Sequence, residues 1–124
     1  MTNPHLDGKR VLVVEDEFLL AMMMEDLLLD EGCIVVGPFS RVAEALVAAR
    51  NEEIDLAVLD VNVAEEKVFP VATQLEARGV PFILLTGYGQ KAIPDDCPHW
   101  EAHSKPYDPQ TLIDVLAAKV NQRY

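Results

Sequence analysis

Short apolar runs alternate along this chain with longer segments whose apolar residues recur at helical spacing. Val11-Leu12-Val13-Val14, Leu56-Ala57-Val58-Leu59 and Phe82-Ile83-Leu84-Leu85 are unbroken by charge, as strands covered on both faces of a parallel sheet are. Cys33-Ile34-Val35-Val36 is another such run, ended by Gly37-Pro38, and a weaker one lies around Trp100 to His103. Between the first two strands, Glu17 to Glu31 carries Leu19, Leu20, Met23, Met24, Leu27 and Leu28 on one predicted core face, with Gly32 to close the helix. Ser40 is placed to N-cap a second helix, with Ala43, Leu46, Val47 and Ala49 as inner positions. A third helix is expected from Lys67 to Arg78, stopped by Gly79.

The segment from Gly87 to His99 breaks the rhythm. It holds Gly87, Gly89, Pro94 and Pro98, so a helix there is short or irregular. Asp108 or Pro109 opens the last helix, whose apolar face is Leu112, Ile113, Val115, Leu116 and Val120. Five strand–helix units without a linker or repeat predict one α/β domain, a five-stranded parallel sheet with helices on both faces and right-handed crossovers. Residues 1–8 read as a short flexible N-terminal lead, residues 9–122 as the domain.

Composition narrows the partners. Twenty-one acids against ten bases give a formal charge of −11, which offers neither nucleic acid nor an anionic membrane a counterion gain. The N-terminus has no apolar signal-peptide core, and two cysteines, Cys33 and Cys97, in an acidic chain fit a reducing cytoplasm.

The candidate chemistry lies where the apolar runs stop. Glu15 and Asp16 follow the first strand, Asp60 the third, Thr86 the fourth and Lys105 the fifth. In a parallel sheet these ends gather along one edge, where open α/β sheets bind ligands. Three carboxylates so placed repel one another, and either protonation or a hard cation relieves them. Mg²⁺ suits the second option, because it accepts one or two carboxylates and keeps water and phosphate oxygens as its other ligands. Asp60 is then placed to attack a phosphoryl group, with Lys105 supplying a point charge and Thr86 a hydrogen-bond donor. Taken singly, the acid pair could complement a helix dipole, Thr86 could be a turn residue and Lys105 a surface charge. Their joint register is what favours chemistry.

Taken together, Val11 to Glu17, Leu59-Asp60-Val61-Asn62, Thr86-Gly87 and Lys105-Pro106 resemble the receiver domain of two-component response regulators. The stretch Pro81 to Gly89 is similar to a Phe-Ala-Thr-Gly-Tyr-type motif of stand-alone alphaproteobacterial receivers, with Leu84-Leu85 departing from it. The resemblance implies the flavodoxin-like strand order 2-1-3-4-5. By position it makes Asp60 the phosphoacceptor and Asp16 a direct Mg²⁺ ligand, with Glu15 acting on the metal through water. The backbone carbonyl of Asn62 would complete the protein ligands, and Thr86 and Lys105 would touch the phosphoryl oxygens. A sensor histidine kinase or phosphotransferase is the implied donor. With no output domain expected in the chain, signalling would run through contact with a further protein or through a phosphate relay or sink. The domain would catalyse its own phosphorylation and dephosphorylation without being a conventional enzyme.

Two departures stand out. Ala102 occupies the place, three residues before Lys105, where receivers often carry a switching aromatic, and Tyr88 is the substitute candidate. The loop after Asp60 lacks the Gly or Pro that often shapes it. Rival readings are a receiver-like interaction module that is never phosphorylated, an Asp-nucleophile phosphohydrolase and a flavodoxin-like cofactor binder. Asn62 stands where the hydrolase would want a second carboxylate, and no phosphate-cradling loop follows the first strand. Cys97, His99 and His103 lack the spacing and the fourth ligand of a zinc site. Met22 and Phe18 sit at the rim of the first helix as candidate partner contacts.

Overall fold

The computed structural model describes residues 3–87 and 89–120, with the side chains of 89 and 90 excepted. Five strands form one parallel sheet: β1 (Arg10–Val14), β2 (Ile34–Phe39), β3 (Leu56–Asp60), β6 (Phe82–Thr86) and β7 (Ala102–Ser104). Two further short strands, β4 (Asn62–Val63) and β5 (Glu66–Lys67), pair antiparallel as a separate hairpin. The sheet order is β2-β1-β3-β6-β7, which is 2-1-3-4-5 when its own strands are counted along the chain. The helices are α1 (Phe18–Asp30), α2 (Val42–Asn51), α3 (Phe69–Ala77) and α4 (Pro109–Val120).

Alternate residues of each central strand feed two cores. Leu12, Val14, Ala57, Leu59, Phe82 and Leu84 meet α2 and α3 on one face. Val11, Val13, Leu56, Val58, Ile83 and Leu85 meet α1 and α4 on the other. Burial of each such Leu, Ile or Val is worth about 1.5–3 kcal/mol, which is why these runs carry no charge until the strand ends.

Several boundaries differ from expectation, each for a local reason. Strand β2 does not end at Gly37-Pro38 but runs through it to Phe39, by a bulge that sets Leu12 opposite Val36 and Val14 opposite Phe39. Gly37 has φ +108°, and a Cβ there would lie 2.9 Å from the Val13 carbonyl oxygen. Helix α2 begins at Val42 with no side-chain cap, so Ser40 is not its N-cap, and Val42, Ala45, Ala48 and Ala49 face inward. Ala43 and Val47, expected inside, are exposed. On α1 the inner stripe is Ala21, Met24 and Leu28, whereas Leu19 and Met23, expected in the core, are exposed. Helix α3 starts at Phe69 rather than Lys67, because Lys67 is spent on the hairpin.

Among the described residues, the connector after β6 holds only a 3₁₀ turn (Gly89–Ala92), as its prolines demand. Strand β7 begins two residues later than expected and ends one later, at Ser104. Asp108 opens α4, its carboxylate accepting from the Thr111 N–H (2.9 Å) and hydroxyl (3.0 Å). Residues 3–8 are no loose lead: Leu6 is fully buried, and the Gly8 N–H donates to the Gly32 carbonyl (2.8 Å). Tyr88 and the last two residues of the expected domain, 121 and 122, lie outside the described residues.

Candidate phosphoryl-transfer site

The C-terminal ends of β1, β3 and β6 lie side by side because their registers align Val14 with Leu59 and Asp60 with Leu85. Glu15 leaves β1 with its N–H donating to the Phe39 carbonyl (2.9 Å), so the β2 bulge fixes the backbone that carries the first acid. Thr86 ends β6 almost wholly buried, and its carbonyl accepts from the Lys105 N–H (2.9 Å). That bond carries β7 past Ser104 and sets Lys105 beside the site.

Lys105 joins the acids. Its Nζ lies 3.0 Å from Glu15 Oε1 and 3.3 Å from Asp60 Oδ1. Glu15, Asp16 and Asp60 each offer an oxygen within 4.8 Å of the others, the one such metal-capable cluster among the described residues. Five of the six site residues read from the sequence therefore meet at one edge: Glu15, Asp16, Asp60, Thr86 and Lys105. The sixth, Asn62, lies two residues past Asp60 in the hairpin, where its side chain accepts from Lys67 Nζ.

One lysine does not balance three acids. Burial pushes the Asp60 carboxyl up from 3.8 to about 7, reinforced by Glu15, with Lys105 pulling the other way. The Lys105 ammonium is raised above its ordinary range, since bonds and charge from Glu15 and Asp60 outweigh its burial. Such a donor set, all carboxylate oxygen and short of positive charge, fits a hard divalent cation. Gly87 leaves open space next to Thr86, so a bulky group can approach from the solvent side.

The β3–α3 hairpin is a feature that the sequence did not announce. Val61, Val63 and Val68 bury its base, and the two central residues of its turn, Ala64 and Glu65, have φ of 49° and 69°. This is the left-handed pair of a type I′ turn, which Asn-Gly favours and Ala-Glu does not. The Ala64 N–H donates to Asp16 Oδ2 at 2.9 Å. The alternation of Val61 and Val63 was the available signal, but the turn residues spoke against it.

Apolar residues of α1 flank the site. Phe18 is 74% exposed, Leu19 68%, Met23 61% and Met22 43%. One cleft places Phe18 and Met22 beside Glu15 and Asp16, and another places Leu20 and Met23 beside Lys105, Pro106 and Tyr107. His99 and His103, weighed as metal ligands in the sequence, are paired to Glu76 (2.6 Å) and Glu101 (2.5 Å) instead. Trp100 is a packing residue, its ring against Phe69 and Phe82 and its N–H donating to Glu76 (3.0 Å).

Comparison with known proteins agrees with this geometry. Residues 11–117 match the family model of the response regulator receiver domain. The transcriptional regulatory protein PdtaR of Mycobacterium tuberculosis is 27% identical over 124 residues, which cover 95% of this chain and 60% of that protein. The chain thus spans less than two thirds of that relative. The solution structure of SdrG from Sphingomonas melonis Fr1 is 34% identical with a TM-score of 0.77, over 96% of this chain and 99% of that one. The receiver domain of sensor histidine kinase PA1611 from Pseudomonas aeruginosa, solved with magnesium in its active-site cleft, shares the fold at 22% identity and a TM-score of 0.76, over 92% of this chain and 98% of that one. With the sheet order, the acid cluster and the lysine all in place, the chain belongs to the receiver domain family of two-component response regulators.

Proposed function

We propose that this receiver takes a phosphoryl group from a phosphohistidine onto Asp60, in a Mg²⁺-dependent step. The observation that carries the proposal is the bridging of Glu15 and Asp60 by Lys105, with Asp16 in the same cluster. Asp16 and the backbone carbonyl of Asn62 would hold the metal directly, Asp60 would share it, and Glu15 would act on it through water. The hairpin supports Asn62: the Val68 N–H bonds the Val61 carbonyl (2.9 Å). Asn62 and Lys67 therefore form a non-hydrogen-bonded pair, whose backbone groups face out of the hairpin. When bound, the cation supplies charge neutralisation for the transferring group.

The chain's own residues divide the remaining work. An Asp60 oxygen attacks phosphorus as the nitrogen–phosphorus bond of the donor breaks, leaving an acyl phosphate and a neutral imidazole once a proton is returned. Lys105 then exchanges part of its pairing with Asp60 for a phosphoryl oxygen, and Thr86, behind open Gly87, donates to another. The apolar rim of α1 on both sides of the pocket is suited to receive the phosphodonor protein, a sensor histidine kinase or phosphotransferase. The face formed by the connector after β6, β7 and α4 is left for a downstream partner. Residues 9–122 would act as a unit, in the cytoplasm, by protein contact or phosphate relay.

Incubation with acetyl phosphate and Mg²⁺, followed by intact mass on the parent and on Asp60→Ala, tests this reading. A single Mg²⁺-dependent phosphoryl adduct that the variant lacks is expected. An unmodified parent, with beryllofluoride leaving the amide spectrum unchanged, would turn the reading toward an unphosphorylated interaction module.

A further inference from the structure

We infer that the backbone N–H of Ala64, held in a strained type I′ turn, is a positioning group that orients the Asp16 carboxylate for its cation. The inference rests on the proposed role of Asp16 as a metal ligand. In a two-residue hairpin the ladder uses the N–H groups of the residues flanking the turn, here Val63 and Glu66, and leaves that of Ala64 outside it. That N–H is spent on Asp16 Oδ2 at 2.9 Å, across 48 positions of sequence. A charge-assisted bond of this kind fixes the rotation of the carboxylate, leaving Oδ1 and the second lone pair of Oδ2 for a cation. Bonds from behind the ligands set the geometry of metal sites in this way.

The turn has no sequence reason to exist. Ala64 and Glu65 sit at φ 49° and 69°, where residues with a side chain are strained. Three things hold it: the buried Val61, Val63 and Val68 at its base, the Lys67–Asn62 bond across it, and the Asp16 carboxylate at its tip. Turn and carboxylate thus fix each other. The exposed Glu65 side chain takes no part, which makes its position the place to intervene.

Glu65→Gly and Glu65→Pro remove the same charge. Glycine keeps the left-handed conformation, whereas proline cannot adopt a positive φ and also drives Ala64 toward extended backbone. Mg²⁺ binding to each folded variant is measured by calorimetry at pH 8, with amide spectra confirming the fold. Glu65→Gly is expected to bind within about threefold of the parent, and Glu65→Pro about tenfold more weakly than Glu65→Gly. Equal affinities in the two variants would overturn the inference alone. Absence of Mg²⁺ binding by the parent would overturn the metal-site reading and the inference with it.

A second measurement needs no metal. In Asp16→Ala, hydrogen exchange at the Ala64 amide is expected to speed up about tenfold or more, the loss of one charge-assisted bond. An unchanged exchange rate would show that the bond does not hold the turn.

Discussion

Asp60→Asn should make the metal-free protein more stable at pH 8, although it removes the proposed phosphoacceptor. The side chain is only 11% exposed, lies against Glu15, and ionises at about 7 in the folded chain against 3.8 ordinarily. A carboxyl whose folded value is raised contributes stability that is fully present below pH 3.8 and lost as pH climbs through about 7. Carrying the charge from 3.8 to about 7 has a ceiling of about 4 kcal/mol. The variant also forfeits the 3.3 Å pairing with Lys105, which keeps Glu15 at 3.0 Å, so roughly half of that ceiling, about 2 kcal/mol, should survive. For a domain of this size that amounts to about 8 °C in Tm. Thermal unfolding of parent and variant from pH 5 to pH 8.5, without divalent cations, isolates Asp60 as the difference between the curves. The gap should be small at pH 5, widen toward pH 7 and level off above it. Mg²⁺ should close it by stabilising the parent more. A variant no more stable than the parent at pH 8, or a gap of equal size at both ends, would refute the argument.

Gly37→Ala should cost about 2 kcal/mol or more by urea denaturation, because its Cβ would stand 2.8 Å from the Phe39 nitrogen at φ +108°. Lys105→Met should raise the pH at which Asp60 ionises above about 7, read from the Asp60 carboxyl carbon shift, since Lys105 is what lowers it. Glu76→Ala should cost about 1–2 kcal/mol and alter Trp100 emission, by removing the acceptor of the indole N–H at 3.0 Å. Glu76 titrates below its ordinary 4.5, mainly through His99, so its contribution is present above pH 4.5 and should fade as pH falls below it.

What was legible in the sequence was what the sheet's periodicity imposes. Charge-free runs mark strands covered on both faces, and their ends fall together, so the pattern alone gathers Glu15, Asp16, Asp60, Thr86 and Lys105 at one edge. Helix faces were less legible. On α2 an Ala-rich segment offers little contrast, and Ala43 and Val47, apolar and at inner-face spacing, are exposed. On α1 Leu19 and Met23 are apolar but exposed, so hydrophobicity alone could not tell core from rim. Tertiary partners overrode local rules elsewhere: Leu6 finds the core formed by α1 and α4, and Gly37-Pro38 is carried inside a strand by a bulge. The hairpin at Ala64-Glu65 broke its own turn preference, and the Glu76–His99–Trp100 cluster joins residues that no short-range pattern connects.

The bulge at Gly37-Pro38 has a consequence for how the domain keeps its company. Strand β2 forms one margin of the sheet, and there Pro38 has no N–H to offer an incoming strand while the shifted register bends the ladder. The opposite margin, β7, is three residues long. Neither rim is a template for another chain's backbone, which guards a Val- and Leu-rich sheet against stacking into aggregates. Association is thereby steered to helices and loops, where side chains rather than main chain choose the partner.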